Sequence, residues 1–353
     1  MVGTGSHAMT SALAPILAEA TGMRVRVIPV SVEPERFKRF GDGEFLVISH
    51  SISEMEMAVS GIGGYAGVDR APARILWHQN DTPWMFAAPG NTFLKDVYDI
   101  KNYPGIKIAN NASSPAMTAT VRGGFLDFLG ITEEDVTIVD FGSYSDNVRS
   151  INEGKAEVSL ISPMSSVTHE IAATPIGVKW LDLPLTDTAA WARLLPYRPT
   201  AIPAEITWGV ESAVGHYGYT SNYIYWVSAR ADPDFVYHMA RWIYDNHDLY
   251  EGAHTALTRM HIDTFRAFLE YNPGPVHEQT IKVLKEIGKW TADDDIWQAE
   301  AVAGMDLFSK AWEAAKAEAK MKGIQVNATN QEWVDMWTRY KDSMGCKRMA
   351  TRM

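Results

Sequence analysis

The spacing of apolar residues changes period repeatedly along the chain. Leu13, Ile16, Leu17 and Ala20 recur at +3, +4 and +7, which predicts one buried face of a helix. Val25, Val27 and Ile28 then predict a short strand broken at Pro29. A helix over 35–40 should stop at Gly41-Asp42-Gly43, and the apolar run Phe45-Leu46-Val47-Ile48 should be a strand opening onto Ser49-His50-Ser51. Short apolar strands separated by helices predict a largely parallel α/β sheet covered on both faces.

The pattern restarts downstream. Ile106 to Ala109 read as a strand that ends in Asn110-Asn111-Ala112-Ser113-Ser114-Pro115, and a helix from about Ala116 to Leu129 should stop at Gly130. Val136 to Val139 predict a strand leading into Gly142-Ser143-Tyr144-Ser145. After a helix ending at Gly154, Glu157 to Ile161 predict another, running into Ser162-Pro163-Met164-Ser165-Ser166. Two successive α/β units of this kind predict two lobes. Arg74 to Ala88 should carry the chain across, and a second crossing should fall between Trp180 and Tyr197, punctuated by Pro184, Pro196 and Pro199. A strand over Tyr223 to Ser228 and a helix over Pro233 to Tyr250 should return it. The expected division is 1–85 with 200–290 as lobe one and 86–199 as lobe two. Residues 291–353 form a helical C-terminal extension, in which Trp297, Ala301, Phe308 and Trp312 fall near one helical face, as do Trp333, Met336, Trp337 and Tyr340. Those faces read as packing on the body or as a docking element.

Composition narrows the function. With 353 residues, 46% hydrophobic and 21% charged, the chain has an ordinary globular balance. A net charge of −11 disfavours nucleic acid as a partner, because neutralising phosphates takes clustered Lys and Arg. The one cysteine, Cys346, cannot form an internal disulfide or anchor a multi-cysteine zinc site. No run approaches the roughly 18 to 20 apolar residues of a membrane span. With no basic and apolar leader at its start, the chain reads as a mature form from which any export signal has been removed.

Parallel α/β sheets bind ligands at the carboxyl ends of their strands. Four such ends are rich in small and hydroxylated residues: Gly3 to Thr10, Ser49 to Ser51, Asn111 to Thr118 and Ser162 to Ser166. Close-approaching backbone N–H groups and serine or threonine hydroxyls suit a carboxylate, sulfonate or phosphate even in an acidic protein. The same residue types are also ordinary turn and capping residues. The candidate ligand contacts are Gly5, Ser6, His7, Met9 and Thr10 in the first turn, Ser49 and His50 in the second, and Ser113, Ser114, Met117 and Thr118 in the third. Tyr144, Ser162 and Met164 add to these from the next two strand ends, and Trp208 and Tyr217 from the Gly-rich stretch Trp208 to Thr220. His7 and His50 read equally as surface or capping histidines.

Catalytic and nucleotide motifs are not met. Gly3-Thr4-Gly5 opens like a dinucleotide fingerprint, but its sixth position is Ala8, and no Walker-type ending follows. Gly61-Ile62-Gly63-Gly64-Tyr65-Ala66-Gly67 follows polar, Met-rich sequence and reads as a flexible surface loop. His247, His254 and His261 are too far apart along the chain to predict a metal site. Ser6, Ser49 and Ser51 lie in no Gly-x-Ser-x-Gly elbow. The residues ask for neither an enzyme nor a cofactor.

Several ordered segments carry a family resemblance: Val2-Gly3-Thr4-Gly5-Ser6, Gly43-Glu44-Phe45-Leu46-Val47-Ile48, Phe128-Leu129-Gly130-Ile131-Thr132 with Asp135-Val136, Ile202-Pro203-Ala204, Arg230-Ala231-Asp232, and Asn272-Pro273-Gly274-Pro275 with Glu286-Ile287-Gly288-Lys289-Trp290. In order and spacing they resemble the TAXI group of solute receptors for tripartite ATP-independent periplasmic (TRAP) transporters. The resemblance implies a two-lobed periplasmic-binding-protein fold of type II-like design with a two-strand hinge, closing over a small solute. It also implies a periplasmic protein whose partners are a small organic anion and the membrane permease subunits of a TRAP transporter. The first turn and the turn opening lobe two would contribute to the pocket. There the chain departs from the family: His7-Ala8-Met9-Thr10-Ser11 and Asn111-Ala112-Ser113-Ser114-Pro115-Ala116-Met117 replace glycine-rich runs. Met9, Met117 and Met164 would make parts of the pocket apolar, which predicts a carboxylate ligand with an apolar or aromatic body. A receptor of an ATP-driven importer for sulfonates or thiamine-pyrimidine-like solutes, and an enzyme on the same scaffold, remain the alternatives.

Overall fold

The computed structural model describes residues 3–352, so the strand end expected at Val2 lies outside the described residues. In chain order the first elements are α1 (Gly5–Thr21), α2 (Glu33–Gly41), β1 (Val47–Ser51), α3 (Ile52–Ser60), β2 (Ala73–Pro89) and β3 (Ile106–Asn111). Next come α4 (Pro115–Ala119), α5 (Leu126–Leu129), β4 (Val136–Phe141), α6 (Tyr144–Arg149), β5 (Val158–Ile161), α7 (Ser166–Ala172), β6 (Val178–Leu181) and α8 (Thr188–Leu194). The chain closes with β7 (Ile202–Glu205), β8 (Tyr217–Ser228), α9 (Pro233–Asp245), α10 (His247–Tyr250), α11 (Ile262–Leu269), α12 (Glu278–Glu286), α13 (Ala292–Lys322) and α14 (Gln331–Ser343). Among the described residues, no helix is long and apolar enough to cross a membrane.

The fold is mixed α/β, and its ladders are mixed as well. β3 pairs in parallel with both β4 and β5, as the βα periodicity predicts. The remaining ladders run antiparallel: β1 with β8, β2 with β5 and β6, and β7 with β8. The expectation of a largely parallel sheet therefore holds only for β3, β4 and β5. The cause is β2 and β8, long strands with no crossover helix to align them with their neighbours. The segment expected as a strand at 25–28 forms no ladder among the described residues, and Pro29 removes one of the donors such a ladder would need. The helix expected over 116–129 forms with a π turn at Thr120–Phe125 between α4 and α5, and ends at Gly130 with φ +71°.

Two compact units divide the chain. One holds residues 3–32, 81–221 and 250–257; the other holds residues 33–80, 222–249 and 258–352. The chain passes from one to the other inside β2 and inside β8. Two groupings differ from those expected. Residues 3–32 go with 81–221, because the start of α1 packs on the β5–α7 turn: Gly3 O accepts from Val167 N at 3.4 Å, and a Cβ on Gly5 would stand 2.1 Å from the Met164 methyl.

Residues 291–352 do not stand apart; they belong to the core of the second unit. Thr291 and Asp294 form a capping box that starts α13, and Arg266 pairs with Asp294 at 2.7 Å. Trp312 meets Trp333 and Trp337 edge-on, each at 5.1 Å between ring centroids. Trp337 Nε1 donates to Gly61 O at 2.9 Å and Trp333 Nε1 to Ala66 O at 2.5 Å. The glycine-rich run expected as a flexible loop is therefore a 3₁₀ turn (Gly63–Gly67) pinned beneath α14, with Tyr65 and Ala66 buried. Gly61 has φ +60° and would place a Cβ 2.6 Å from Trp337 Nε1, so both backbone and space require glycine. Arg70 stacks on Trp312 at 4.4 Å and donates to the carbonyls of Ala58, Val59, Tyr65 and Val68. Burial pulls its guanidinium down to about 9.

Trp312→Ala should destabilise the protein by about 3–5 kcal/mol in urea denaturation, by removing a buried indole. Truncation after Trp290 should abolish cooperative unfolding of the second unit, whereas a detachable appendage would leave the melting profile of the remainder intact.

Candidate functional site

Each strand-to-helix turn in the first unit must provide acceptors for the open amides of the following helix. Hydroxyls do this in most of them, and the Asp187 carboxylate does it for α8, accepting from Ala190 N at 3.0 Å. Thr4 accepts from His7 N at 3.2 Å, Ser114 from Met117 N at 3.1 Å, Ser143 from Asp146 N at 3.1 Å and Ser165 from Thr168 N at 3.3 Å. In the second unit Ser51 caps α3 through Glu54 N at 3.1 Å. Part of the hydroxyl signal in these turns is therefore N-capping.

The structure brings the predicted residues of the first unit together through a chain of contacts. Gly5 packs on Met164. The turn at Gly209 lies against Pro163, whose carbonyl accepts from Val210 N at 3.0 Å. Tyr144 is fully buried; its hydroxyl accepts from Ser162 N at 2.8 Å and lies 3.1 Å from Ser165 Oγ. Burial pushes the Tyr144 phenol up, so it stays protonated and holds this turn as a neutral group. Tyr144 meets Trp84 edge-on at 6.0 Å, and Trp84 lies beneath Arg198 at 5.6 Å. Arg198 Nη1 donates to Ala116 O at 3.2 Å and to Thr120 Oγ1 at 2.9 Å, which ties it to the start of the α4 segment.

The other predicted residues of this unit have their own local surroundings. Met9, Met117 and Met164 are buried, while Ser6, His7 and Thr10 are half-buried on α1. Burial lowers the His7 imidazole below its ordinary value. Ser113 Oγ donates to Asn111 Oδ1 at 2.7 Å, and Thr118 Oγ1 lies 3.3 Å from Asn110 Nδ2. Trp208 Nε1 donates to Asp81 O at 3.1 Å. Tyr217 begins β8 with its ring exposed and its N–H on Asp182 Oδ1 at 2.8 Å.

Ser49 and His50 lie in the second unit, within a buried polar network. His50 Nε2 is 2.8 Å from Glu33 Oε2, which also pairs with Arg36 at 2.9 Å. Tyr65 Oη donates to Glu54 at 2.9 Å and lies 3.4 Å from His50 Nε2; Ser49 Oγ donates to Gln79 at 2.8 Å. Burial alone would raise the Glu33 carboxyl, but Arg36 and His50 outweigh it and hold the group down at about 2. His254 and His261, counted with His247 in the spaced triplet, each accept a backbone N–H on Nδ1, from Ala256 at 3.1 Å and Asp263 at 3.2 Å.

Sequence reasoning missed Trp84 and Arg198. Trp84 was hidden in the stretch read as carrying the chain between lobes, and Arg198 lay between Pro196 and Pro199, just past the second expected crossing. The Gly123-Gly124 pair was a usable signal. A Cβ on Gly123 would stand 2.2 Å from the Tyr197 ring, so glycine there lets the Leu194–Arg198 stretch pack down on the π turn.

Comparison with known proteins assigns the family. The model of the NMT1-like family matches residues 15–288. The chain belongs to the NMT1-like family. No curated protein sequence matches it. Among solved structures, it is similar to R. palustris Rpa4515 with adipate, at 15% identity and TM-score 0.48, covering 92% of this chain and 95% of that one. PhnD1 from Prochlorococcus marinus, in complex with methylphosphonate, matches at 10% identity and TM-score 0.43 over 85% and 92%. The periplasmic aliphatic sulphonate binding protein SsuA from Escherichia coli matches at 11% identity and TM-score 0.40 over 98% and 82%.

Two outcomes follow for this NMT1-like chain. Glu33 contributes stability that is present above its unfolded value of 4.5 and lost as pH falls toward about 2. Acid titration of unfolding should therefore lose part of its steep limb in that window in Glu33→Gln, alongside reduced stability at pH 7. Ser114→Ala should cost about 1 kcal/mol through loss of the cap, read by chemical denaturation.

Proposed function

We propose that this protein is a periplasmic solute-binding protein that captures a small organic anion and delivers it, unaltered, to the permease of a TRAP-type secondary transporter. The carrying observation is that the hydroxyl-rich turns and the buried Met9, Met117 and Met164 fall in one unit, where Tyr144 holds the 162–166 turn and Gly5 packs on Met164. Backbone amides and hydroxyls there suit an anionic head, and the thioethers suit an apolar or aromatic body. The ordered motifs shared with the TAXI receptors support the transporter class, and membership of the NMT1-like family accords with a binding role. On this reading Gly5, Ser6, His7, Thr10, Ser113, Ser114, Met117, Thr118, Ser162 and Met164 face the solute, with Trp208 and Tyr217 at its margin. Ser49 and His50 serve the stability of the second unit instead.

Thermal-shift screening of the full chain against aromatic and aliphatic carboxylates, short dicarboxylates, amino acids and sulfonates tests the reading. A carboxylate with an apolar body should raise the melting temperature, since ligand at 100 times its Kd stabilises by about 2.7 kcal/mol. Stabilisation by short polar dicarboxylates alone would remove the apolar body from the proposal. A response to sulfonates alone would favour a receptor of an ATP-driven importer.

A further inference from the structure

We infer that Arg198 and Trp84 form the anion subsite of the first unit, a side-on seat for one carboxylate group. The inference rests on the reading of the chain as an organic-anion binder and names the residues that hold the charge. Arg198 is 2% exposed, and among the described residues it forms no ion pair with any carboxylate. Its recorded hydrogen bonds both leave from Nη1, to Ala116 O and Thr120 Oγ1, and its buried Nε has no acceptor. The two faces beside it are aromatic, Trp84 at 5.6 Å and Tyr219 at 5.2 Å. Trp84 is itself 4% exposed, and its buried Nε1 has no acceptor either.

Several partly buried arginines elsewhere in the chain are better supplied with acceptors. Arg36, Arg266 and Arg348 each meet a buried carboxylate, and Arg70 is ringed by four carbonyls. Arg74, 9% exposed, resembles Arg198 in donating only from Nη1 to neutral acceptors, Ala73 O and Met305 Sδ, but Arg198 is buried more deeply and adds a buried Nε without an acceptor. A buried guanidinium that is neither paired nor fully hydrogen-bonded costs stability. A planar carboxylate offers the missing partner, with two oxygens to accept from the side of the fork that carries Nε. The Trp84 indole N–H would supply a further directional donor. Cation–π contact with two rings keeps the guanidinium plane fixed, so little ordering remains to be done on binding. Ser162 lies one residue further along the same chain of contacts, through Tyr144. Its buried Oγ is likewise without a partner, which places a hydroxyl beyond the charged head.

Calorimetry on the full chain with phenylacetate, hexanoate and adipate, each against its neutral amide, tests this. At least one acid should bind, with its amide about 100-fold weaker. Arg198→Lys should weaken that acid about 30-fold or more, because a point ammonium cannot reproduce the fork. Trp84→Phe, which keeps an aromatic face but removes the pyrrole portion with its N–H, should weaken it about 5-fold. An acid that binds the wild type and both variants equally would overturn the subsite while leaving the binding function standing. If Arg198→Lys fails to fold, an unchanged Kd in Trp84→Phe is enough to overturn the shared seat. If the wild type binds amides as tightly as acids, or binds none of the three acids, the organic-anion reading falls and the subsite with it.

Discussion

Every helix that follows a strand in the first unit begins with open amides, and satisfying them constrains everything around the site. Ser114, Ser143, Ser165 and Asp187 all spend a side-chain oxygen on this task, and Thr4 does the same at the start of α1. Each cap fixes where its turn sits relative to the strand before it. The turns then reach one another through close backbone approaches, Gly3 to Val167 and Gly209 to Pro163. A Cβ at Gly5 or Gly209 would force these turns apart. The site is thus assembled by local hydrogen-bond obligations and held by the absence of two side chains.

Buried charge is mostly paired in the second unit, and both units keep some buried polar atoms without a partner. In the second unit, Glu33 is met by Arg36 and His50, Glu56 by Arg348 at 2.7 Å, and Arg70 by four carbonyls and an indole face. These charges are met within a unit whose core includes a 31-residue helix and three interlocked tryptophans, although His50 Nδ1 and Arg70 Nε keep no partner of their own. In the first unit, Tyr144 is likewise partnered, but Arg198, Trp84 and Ser162 each keep a buried polar atom without a partner. Low local dielectric makes such atoms costly, and it equally strengthens any partner they acquire.

Much of the fold was legible because it depends on short-range rules. The strands at Ile106–Asn111 and Val158–Ile161 follow from apolar runs, and the stop at Gly130 follows from its left-handed φ. Thr291 and Asp294 announce the start of α13 by their spacing. Where local pattern misled, long-range contact was the reason. The run Gly61–Gly67 looks mobile until Trp333 and Trp337, some 270 residues on, hydrogen-bond its carbonyls. Val25–Ile28 has the apolar spacing of a strand, yet a strand exists only if a neighbour completes the ladder. His50 looked like a ligand-loop histidine and is instead enclosed with Glu33 and Tyr65.

The opening pattern of apolar and hydroxylated positions by itself determined the α/β class and the positions of most of the capped turns. Those features rest on interactions between residues a few positions apart. Only the tertiary structure decided which polar atoms remain unpaired once the chain is folded. Serines that look alike in sequence separate into caps such as Ser114 and Ser165 and an unpartnered hydroxyl at Ser162. Arg198 gains its meaning solely from the carboxylate it does not meet. Pairing depends on distances between remote segments, and no local period records it.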